Sequence, residues 1–306
     1  MNGEAKNQNG DNYETIVSTH SGCADGAAAM WSFTRFIGTP IKFYFYDRQK
    51  GFVDFPDCEG KDVYFTDCCP TIELLDRIKG ITRSITVLDH HPECETLQNI
   101  AGITAIYDPT RCGCEITWDY LMSKYPLITK ENEPKLGIRP WWFVHIRDRD
   151  LYKWNDPNSK AFSENLYKVG SKFQTFNSLC RATQKQREDF YAAGRKLLKN
   201  KEQRINKAIR NAELVMFDEY KVWIVNVDHD HTDIAHQLAQ RDNCDFAIAY
   251  DYNFGKNLWR LKLRGLDKRN IDLNKFAMKY GGGGHPSASS IKWIGNLRDL
   301  LKPTIP

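Results

Sequence analysis

No run in the 306 residues approaches the ~20 consecutive apolar side chains that a membrane-spanning helix requires, so no membrane partner is expected. Charge of one sign is not in large excess either. A formal net charge of +4 permits an anionic ligand without demanding one, and no long duplex nucleic acid is expected as a partner. The opening MNGEAKNQNGDNYE has no apolar centre, so a secretory signal is not expected and residues 1–12 read as a disordered tail. Internal repeats and low-complexity tracts are absent. Nine cysteines is an odd number, and Cys68 and Cys69 are adjacent, which argues against a disulfide framework. Cys112-Gly-Cys114 lacks the paired C-x-x-C spacing of a zinc site. Reduced thiols in a cytoplasmic protein are the expectation.

What is present suits a globular chain of more than one domain: 41% hydrophobic, 27% charged and 12% aromatic residues. Apolar, β-branched segments recur early, each closing on a polar residue: ETIVSTH on His20, IKFYFYD on Asp47, DVYFTD on Asp67, and SITVLDHH on Asp89, His90 and His91. Between them DGAAAMWSFTRFI, TIELLDRIKG and GCEITWDYLMSKY suit helices. Strands alternating with helices predict an α/β fold with a mostly parallel sheet. In such sheets ligands sit beyond the carboxyl ends of the strands, where these acids and histidines fall.

Near residue 180 the character changes. RATQKQREDFYAAGRKLLKNKEQRINKAIRNAE is charged, rich in helix formers and free of proline, which predicts a long, largely exposed helix. Beyond it YKVWIVNV, DFAIAYDYN and LWRLKLRG read as strands, and TDIAHQLAQR and NIDLNKFAMKY as helices. The expected organisation is a larger α/β domain over 13–180, a helical linker over 181–214 and a smaller α+β domain over 215–306.

Carboxylates and imidazoles are the donors that hard or borderline divalent ions need, and two such ions about 4 Å apart suit phosphoryl hydrolysis. The candidate ligands are His20, Asp25, Asp67, His90 and Asp148, the last in WFVHIRDRDLYKW, which reads as another strand running out into a site. Each has a plainer reading. Asp25 before Gly26 suits a turn, Asp67 a helix cap, and Asp89 a hydrogen bond that holds a neighbouring histidine. Asp150 also suits the ligand role, although an ion pair with the arginine before it is the plainer choice. The ordered series at strand ends is what favours a common site.

YGGGGHPSASS adds a second signal. Consecutive glycines allow backbone N–H groups to approach a phosphate, with His285 and the hydroxyls of Ser287, Ser289 and Ser290 as donors and Arg260 and Arg264 as guanidinium contacts. His229, His231 and His236 read as a surface loop in which Thr232 caps the next helix. The tryptophans of RPWW at 139–142 read as packing, with base stacking as the other reading.

Taken in order, STHSGCADG, FTDCCP, VLDHHPE, IRDRD and GGGGHPSAS resemble the DHH phosphoesterases that carry the DHH-associated C-terminal domain, and the resemblance spans nearly the whole chain. It implies two domains facing a cleft, a manganese centre on the larger and a glycine-rich substrate loop on the smaller. By this resemblance Asp67 bridges two metals, and Asp25, His90 and Asp148 complete one site. His91 faces the substrate phosphate, and His285 with Gly282, Gly283 and Gly284 binds the far end of the substrate; Ser287 and Arg264 stay substrate-contact candidates on their own chemistry. Many members carry H-x-x-x-D-x-D in the first motif, whereas here Cys23 stands where the first aspartate belongs. Three readings of Cys23 stay open: a thiolate ligand for a softer ion, a weakened second site, or a packed thiol.

The resulting expectation is a Mn2+-dependent enzyme, with Mg2+ or Co2+ as other ions, that binds one ion tightly and a second weakly. Metal-activated water would hydrolyse phosphodiester bonds in short oligonucleotides or small, including cyclic, nucleotides. The rival expectations are a phosphoanhydride hydrolase acting on polyphosphate or pyrophosphate, and a non-catalytic nucleotide-binding protein with a degraded metal site. Oligomeric state is left open.

Overall fold

The computed structural model describes residues 13–46, 51–128 and 139–303. The tail expected over 1–12 and the strand end expected at Asp47 lie outside the described residues. The chain divides into two compact units, Met1–Leu197 and Leu198–Pro306.

Each early apolar segment does become a strand: β1 Thr15–His20, α1 Ala24–Phe33, β2 Ile41–Tyr46, β3 Asp62–Thr66, α2 Ile72–Ile78, β4 Ser84–Asp89, β5 Thr104–Tyr107 and α3 Gly113–Lys124. The five strands pair in parallel in the order β2-β1-β3-β4-β5. The chain leaves β1 for one neighbour and then returns for the other, so the order reverses beside β1 and β3, where α/β sheets place ligands. Burial on both faces explains the near-continuous apolar runs: alternate residues of one strand enter different clusters. Val17 and Tyr64 pack with Trp31 and Trp118, whereas Ile16, Val63 and Phe65 pack with Leu74, Leu75 and Phe52. Trp31 stacks on Trp118 at 6.0 Å between ring centroids.

The stretch after residue 140 corrects the strand expected in WFVHIRDRDLYKW. It is helix α4, Phe143–Asp150, followed by α5 Ser159–Val169 and α6 Phe173–Arg181, neither of which the sequence suggested. The tryptophans of RPWW pack as expected: Trp142 is fully buried against Phe176, and Trp141 donates to the Leu179 carbonyl. Helix α7, Gln184–Arg210, is exposed along much of its length. Tyr191 packs in the first unit and Ile205 and Ala208 in the second. Gly194 lies so close to α5 that a Cβ would meet the Ala161 carbonyl oxygen at 1.8 Å, so only glycine fits there.

In the second unit follow β6 Glu213–Phe217, β7 Tyr220–Asn226, α8 His231–Ala239, β8 Phe246–Asn253, β9 Leu258–Arg264, α9 Leu273–Met278, β10 Gly283–His285, β11 Ala288–Trp293 and β12 Leu301–Pro303. They form a seven-stranded sheet, β10-β11-β9-β8-β7-β6-β12, in which β7 and β8 are the parallel pair. Asp272 caps α9 by accepting from the Asn274 and Lys275 N–H groups. Asp230, in left-handed backbone, precedes α8, so Thr232 is not its cap. No helix among the described residues is long and apolar enough to cross a membrane. The α/β parallel domain with a smaller α+β unit is as the sequence led one to expect.

Candidate metal centre

Three adjacent strands, β1, β3 and β4, deliver His20, Asp67 and the Asp89-His90-His91 corner to one rim of the parallel sheet. Asp67 is central. It is fully buried and takes φ 53°, a left-handed conformation rare outside glycine, while its N–H donates to the Leu88 carbonyl. Two glycines make room for it. A Cβ on Gly26 would lie 2.0 Å from Thr19 Oγ1 and 3.0 Å from Asp67 Oδ2, and one on Gly113 would lie 2.8 Å from Asp67 Cβ.

The Asp67 carboxylate faces a histidine on each side: Oδ2 lies 3.2 Å from His20 Nε2 and Oδ1 lies 3.3 Å from His90 Nε2. Around it gather two donor sets. His20, Cys23 and Asp67 form one; Asp25, His90 and Asp150 form the other, the donor atoms of each set lying within 4.8 Å of one another. His90 Nε2 is 3.2 Å from Asp150 Oδ2 and 3.9 Å from Asp25 Oδ2.

Asp25 does a second job. Its oxygens accept from the Gly113 and Cys114 N–H groups at 2.6 and 2.9 Å, the open first turn of α3, where a negative charge is favoured. That contact also draws Cys112 and Cys114 close to Asp25, with their sulfurs 3.5 Å apart. All nine cysteines are free thiols. Asp89 is fully committed: Oδ1 accepts from the His90 and His91 N–H groups and from His91 Nδ1 at 2.8 Å, and Oδ2 from Cys94 Sγ. It therefore builds the corner rather than binding within it.

Here the structure corrects one assignment. Asp148 is buried and is not among the grouped donors: its Oδ2 accepts from the Asp156 N–H and the Ser159 hydroxyl, both at 2.7 Å, at the start of α5, while its Oδ1, without a hydrogen bond, lies 3.7 Å from Arg147 Nη2. Asp150 takes its expected place beside His90. The reason is helical geometry: residues two apart on a helix face sides about 200° apart, so only one of the two can reach the site. Read as a strand, the segment put both on one face and gave no basis for choosing.

The electrostatics follow from packing acids together in a buried place. Burial raises the Asp25 carboxyl, and the charges of Asp67 and Asp150 add to it, to about 7. Burial likewise pushes Asp150 up, opposed by His90. Burial opposes Asp67 ionisation too, but hydrogen bonds from His20 and His90 outweigh it and hold that carboxyl well below the usual range. Burial alone would lower His90, yet Asp67, Asp150 and Asp25 together lift it to about 9. Cys23 is pushed far up by burial and then by Asp67 and Asp25, so it stays a neutral thiol unless a cation displaces its proton.

The donor set fits divalent ions. Asp67 Oδ2 and Asp150 Oδ2 are buried and face histidine nitrogens, His20 Nε2 and His90 Nε2, each at 3.2 Å. Among the described residues no lysine or arginine lies in ion-pair range of Asp25, Asp67 or Asp150. Three acids gather here around His90 as their nearby cation, so negative charge is in excess, and a divalent metal ion, which can displace the histidine protons, fits the arrangement.

In the second unit the glycine run is a β-hairpin, β10–β11, turning at Pro286 and Ser287. This changes the expected cradle. The Gly281, Gly282 and Gly284 N–H groups already donate to Met278 O, Ala277 O and Asn274 Oδ1. Glycine is required at 282 and 284 because a Cβ would meet the β11 backbone at 2.2 and 2.5 Å. His285 is exposed beside the turn, and Ser287 is half-buried within it. Arg264, paired with Ala288, donates to the Thr232 hydroxyl, while Arg260 is committed to Asp251.

No family model matches the chain. It is 25% identical over 299 residues to the uncharacterized protein R106 of Acanthamoeba polyphaga mimivirus, an alignment covering 92% of this chain and 68% of that one. Among solved structures, the DHH domain of PF0399, a member of a family of ribosomal proteins, superposes with a TM-score of 0.55 at 16% identity, over 94% of this chain and 84% of that one. PggH of Vibrio cholerae, a pGpG-specific phosphodiesterase, gives 0.52 at 11% identity, over 94% of each chain. The chain thus has the fold of the DHH-domain proteins, and the resemblance read from its sequence holds at that level.

Proposed function

We propose that the chain is a metal-dependent phosphoesterase whose ions lie on either side of Asp67. The observation that carries this is a buried carboxylate flanked by two sets of acid, imidazole and thiol donors, whose carboxylate oxygens meet histidines but, among the described residues, no lysine or arginine. Asp25, His90 and Asp150 with Asp67 would hold one ion, and His20 and Cys23 with Asp67 the other. Bound divalent ions supply a lowered pKa for water and neutralise charge on the phosphoryl oxygens.

The protein's own groups then position the phosphate. Asp89 fixes the His91 ring through Nδ1, so the proton available to a phosphate oxygen is the one on Nε2. That proton is favoured, since the hydrogen bond to Asp89 raises His91 above its ordinary value. Carboxylate and imidazole donors suit Mn2+, with Mg2+ or Co2+ as substitutes. We assign the tight ion to the Asp25 side, because the set holding Cys23 must lose a strongly held thiol proton before all its donors can bind.

The substrate class we assign is a short oligonucleotide or small nucleotide, and His285, Ser287 and Arg264 are the second unit's own candidates for substrate contact. The fold shared with a pGpG-specific phosphodiesterase and the sequence resemblance support this class over polyphosphate. Incubating the Mn2+-loaded protein with di- to pentanucleotides, cyclic dinucleotides, pyrophosphate and polyphosphate, and weighing the products by mass spectrometry, tests it. Nucleotide products that disappear in Asp67→Asn support it. Turnover of polyphosphate alone makes the enzyme an anhydride hydrolase, and binding without turnover makes it a nucleotide sensor.

A further inference from the structure

Two residues beyond Asp150 the chain reads Tyr152-Lys153-Trp154, and both aromatics adopt left-handed backbone, at φ 54° and 51°. Bulky side chains rarely take that conformation, because the Cβ crowds the adjoining peptide. The two rings meet edge to face, with centroids 5.4 Å apart and planes at 72°. Trp142, Phe143 and Phe162 nearby are buried in the core, whereas Tyr152 is 72% exposed.

Trp154 is half-buried and braced, with the Arg149 guanidinium 5.9 Å and the Lys160 ammonium 5.6 Å from its ring centre. It in turn supports the edge of Tyr152. The turn is tied to the helix that ends in Asp150: the Leu151, Tyr152 and Lys153 N–H groups donate to the carbonyls of Arg147, Arg149 and Asp148. Two peptide units separate Tyr152 from Asp150, which places their Cα atoms within roughly 8 Å. An open tyrosine face, Asp150, which we assign to the metal, and a tryptophan whose ring carries the cationic rim of Arg149 and Lys160 therefore fall within residues 150–154.

We propose that the Tyr152 ring is a stacking surface for a nucleobase of the substrate whose phosphate sits at the Asp67 cluster, with Trp154 as its brace. The pairing suits the chemistry of a nucleotide, which presents a flat ring a few bonds from an anion: the ring meets an aromatic face, and the charge meets the cationic rim and the ions. This rests on the phosphoesterase reading and deepens it, because polyphosphate has no ring to stack. The strained backbone is in keeping with a functional role, since strain of this kind collects at ligand sites.

The test compares the wild type with Tyr152→Ala and Tyr152→Phe, all Mn2+-loaded, on the dinucleotide ApA and on its doubly abasic counterpart. Circular dichroism and the melting temperature confirm that the variants fold. We expect Tyr152→Ala to lower kcat/KM on ApA about 5- to 100-fold, the worth of one base–aromatic stack, mainly through KM. Tyr152→Phe retains the wild-type value, and the abasic substrate is unaffected by either change. An equal loss on both substrates, or no loss on ApA, overturns the proposal. If the wild type cleaves neither, the phosphoesterase reading fails by itself. Quenching of 2-aminopurine riboside monophosphate fluorescence then decides the stacking claim: quenching lost in Tyr152→Ala upholds it, and equal quenching in both proteins, or none in the wild type, overturns it.

Discussion

Aspartate and histidine crowd together in two parts of the chain, around Asp67 in the first unit and, in the second, along VDHDHTDIAH with Asp251 beside His231. In the second part most acids have been given a cation: Asp251 pairs with Arg260, Asp230 with Arg204 and Asp233 with Lys201, while Asp228 accepts from His229. Around Asp67 the neighbours are histidines and further acids, with no lysine or arginine in ion-pair range among the described residues. Composition is thus similar and chemistry different. An acid neutralised by lysine or arginine serves the fold, whereas acids that share histidines, whose protons a metal can displace, stay open to an ion from solution.

Removing the central carboxylate breaks the comparison most severely. Asp67→Asn should reduce turnover by about 10³-fold or more, since the ions' stabilisation of the transition state is worth several kcal/mol. Phosphate release and calorimetric Mn2+ titration measure it, and an active variant would remove Asp67 from the site. The same titration on the wild type should show two ions of unequal affinity; two equally tight ions would contradict the weakening assigned to Cys23.

The two acids of α4 sharpen the contrast on a smaller scale. Asp150→Asn should lower Mn2+ affinity by 10- to 100-fold, roughly the effect of losing one supporting group in a metal site. Asp148→Asn should leave affinity alone and cost about 1–3 kcal/mol of stability in urea, because it weakens bonds to a buried charged acceptor. The reverse pattern would restore Asp148 as the ligand.

Acidity offers a subtler test. Before metal arrives the cluster holds extra protons, on His90 up to about 9 and on Asp25 up to about 7. Metal binding must expel them, so affinity should rise with pH, by up to about tenfold per unit for each proton released. Titrations in buffers of different ionisation enthalpy count those protons; affinity independent of pH from 6 to 8 would contradict it. Smallest of all, Asp251→Asn should lower the melting temperature modestly and leave the Mn2+ stoichiometry unchanged.

The strand-end positions of His20, Asp67, Asp89, His90 and His91 were legible because their strands are apolar on both faces and stop abruptly at polar residues. Asp150 was not. RDRD carries no apolar periodicity of its own, so nothing local separates helix from strand, and the choice between Asp148 and Asp150 turns on that distinction. Gly113 was equally hidden, since its importance lies in an approach to Asp67 across 46 residues. Tyr152 and Trp154 were hidden by the habit of aromatics: in a chain with eight tryptophans, most of them buried or partly so, sequence gives no sign of which ring stays open.

By itself, then, the sequence determined the alternation of strands and helices and the series of ligand-type residues at the strand ends. Both are carried by local patterns of apolar and polar side chains. Only the tertiary structure decided which acids pair with a lysine or arginine and which gather around histidines instead. That depends on contacts between residues far apart in the chain, set by sheet order and helix rotation, and no local pattern records it.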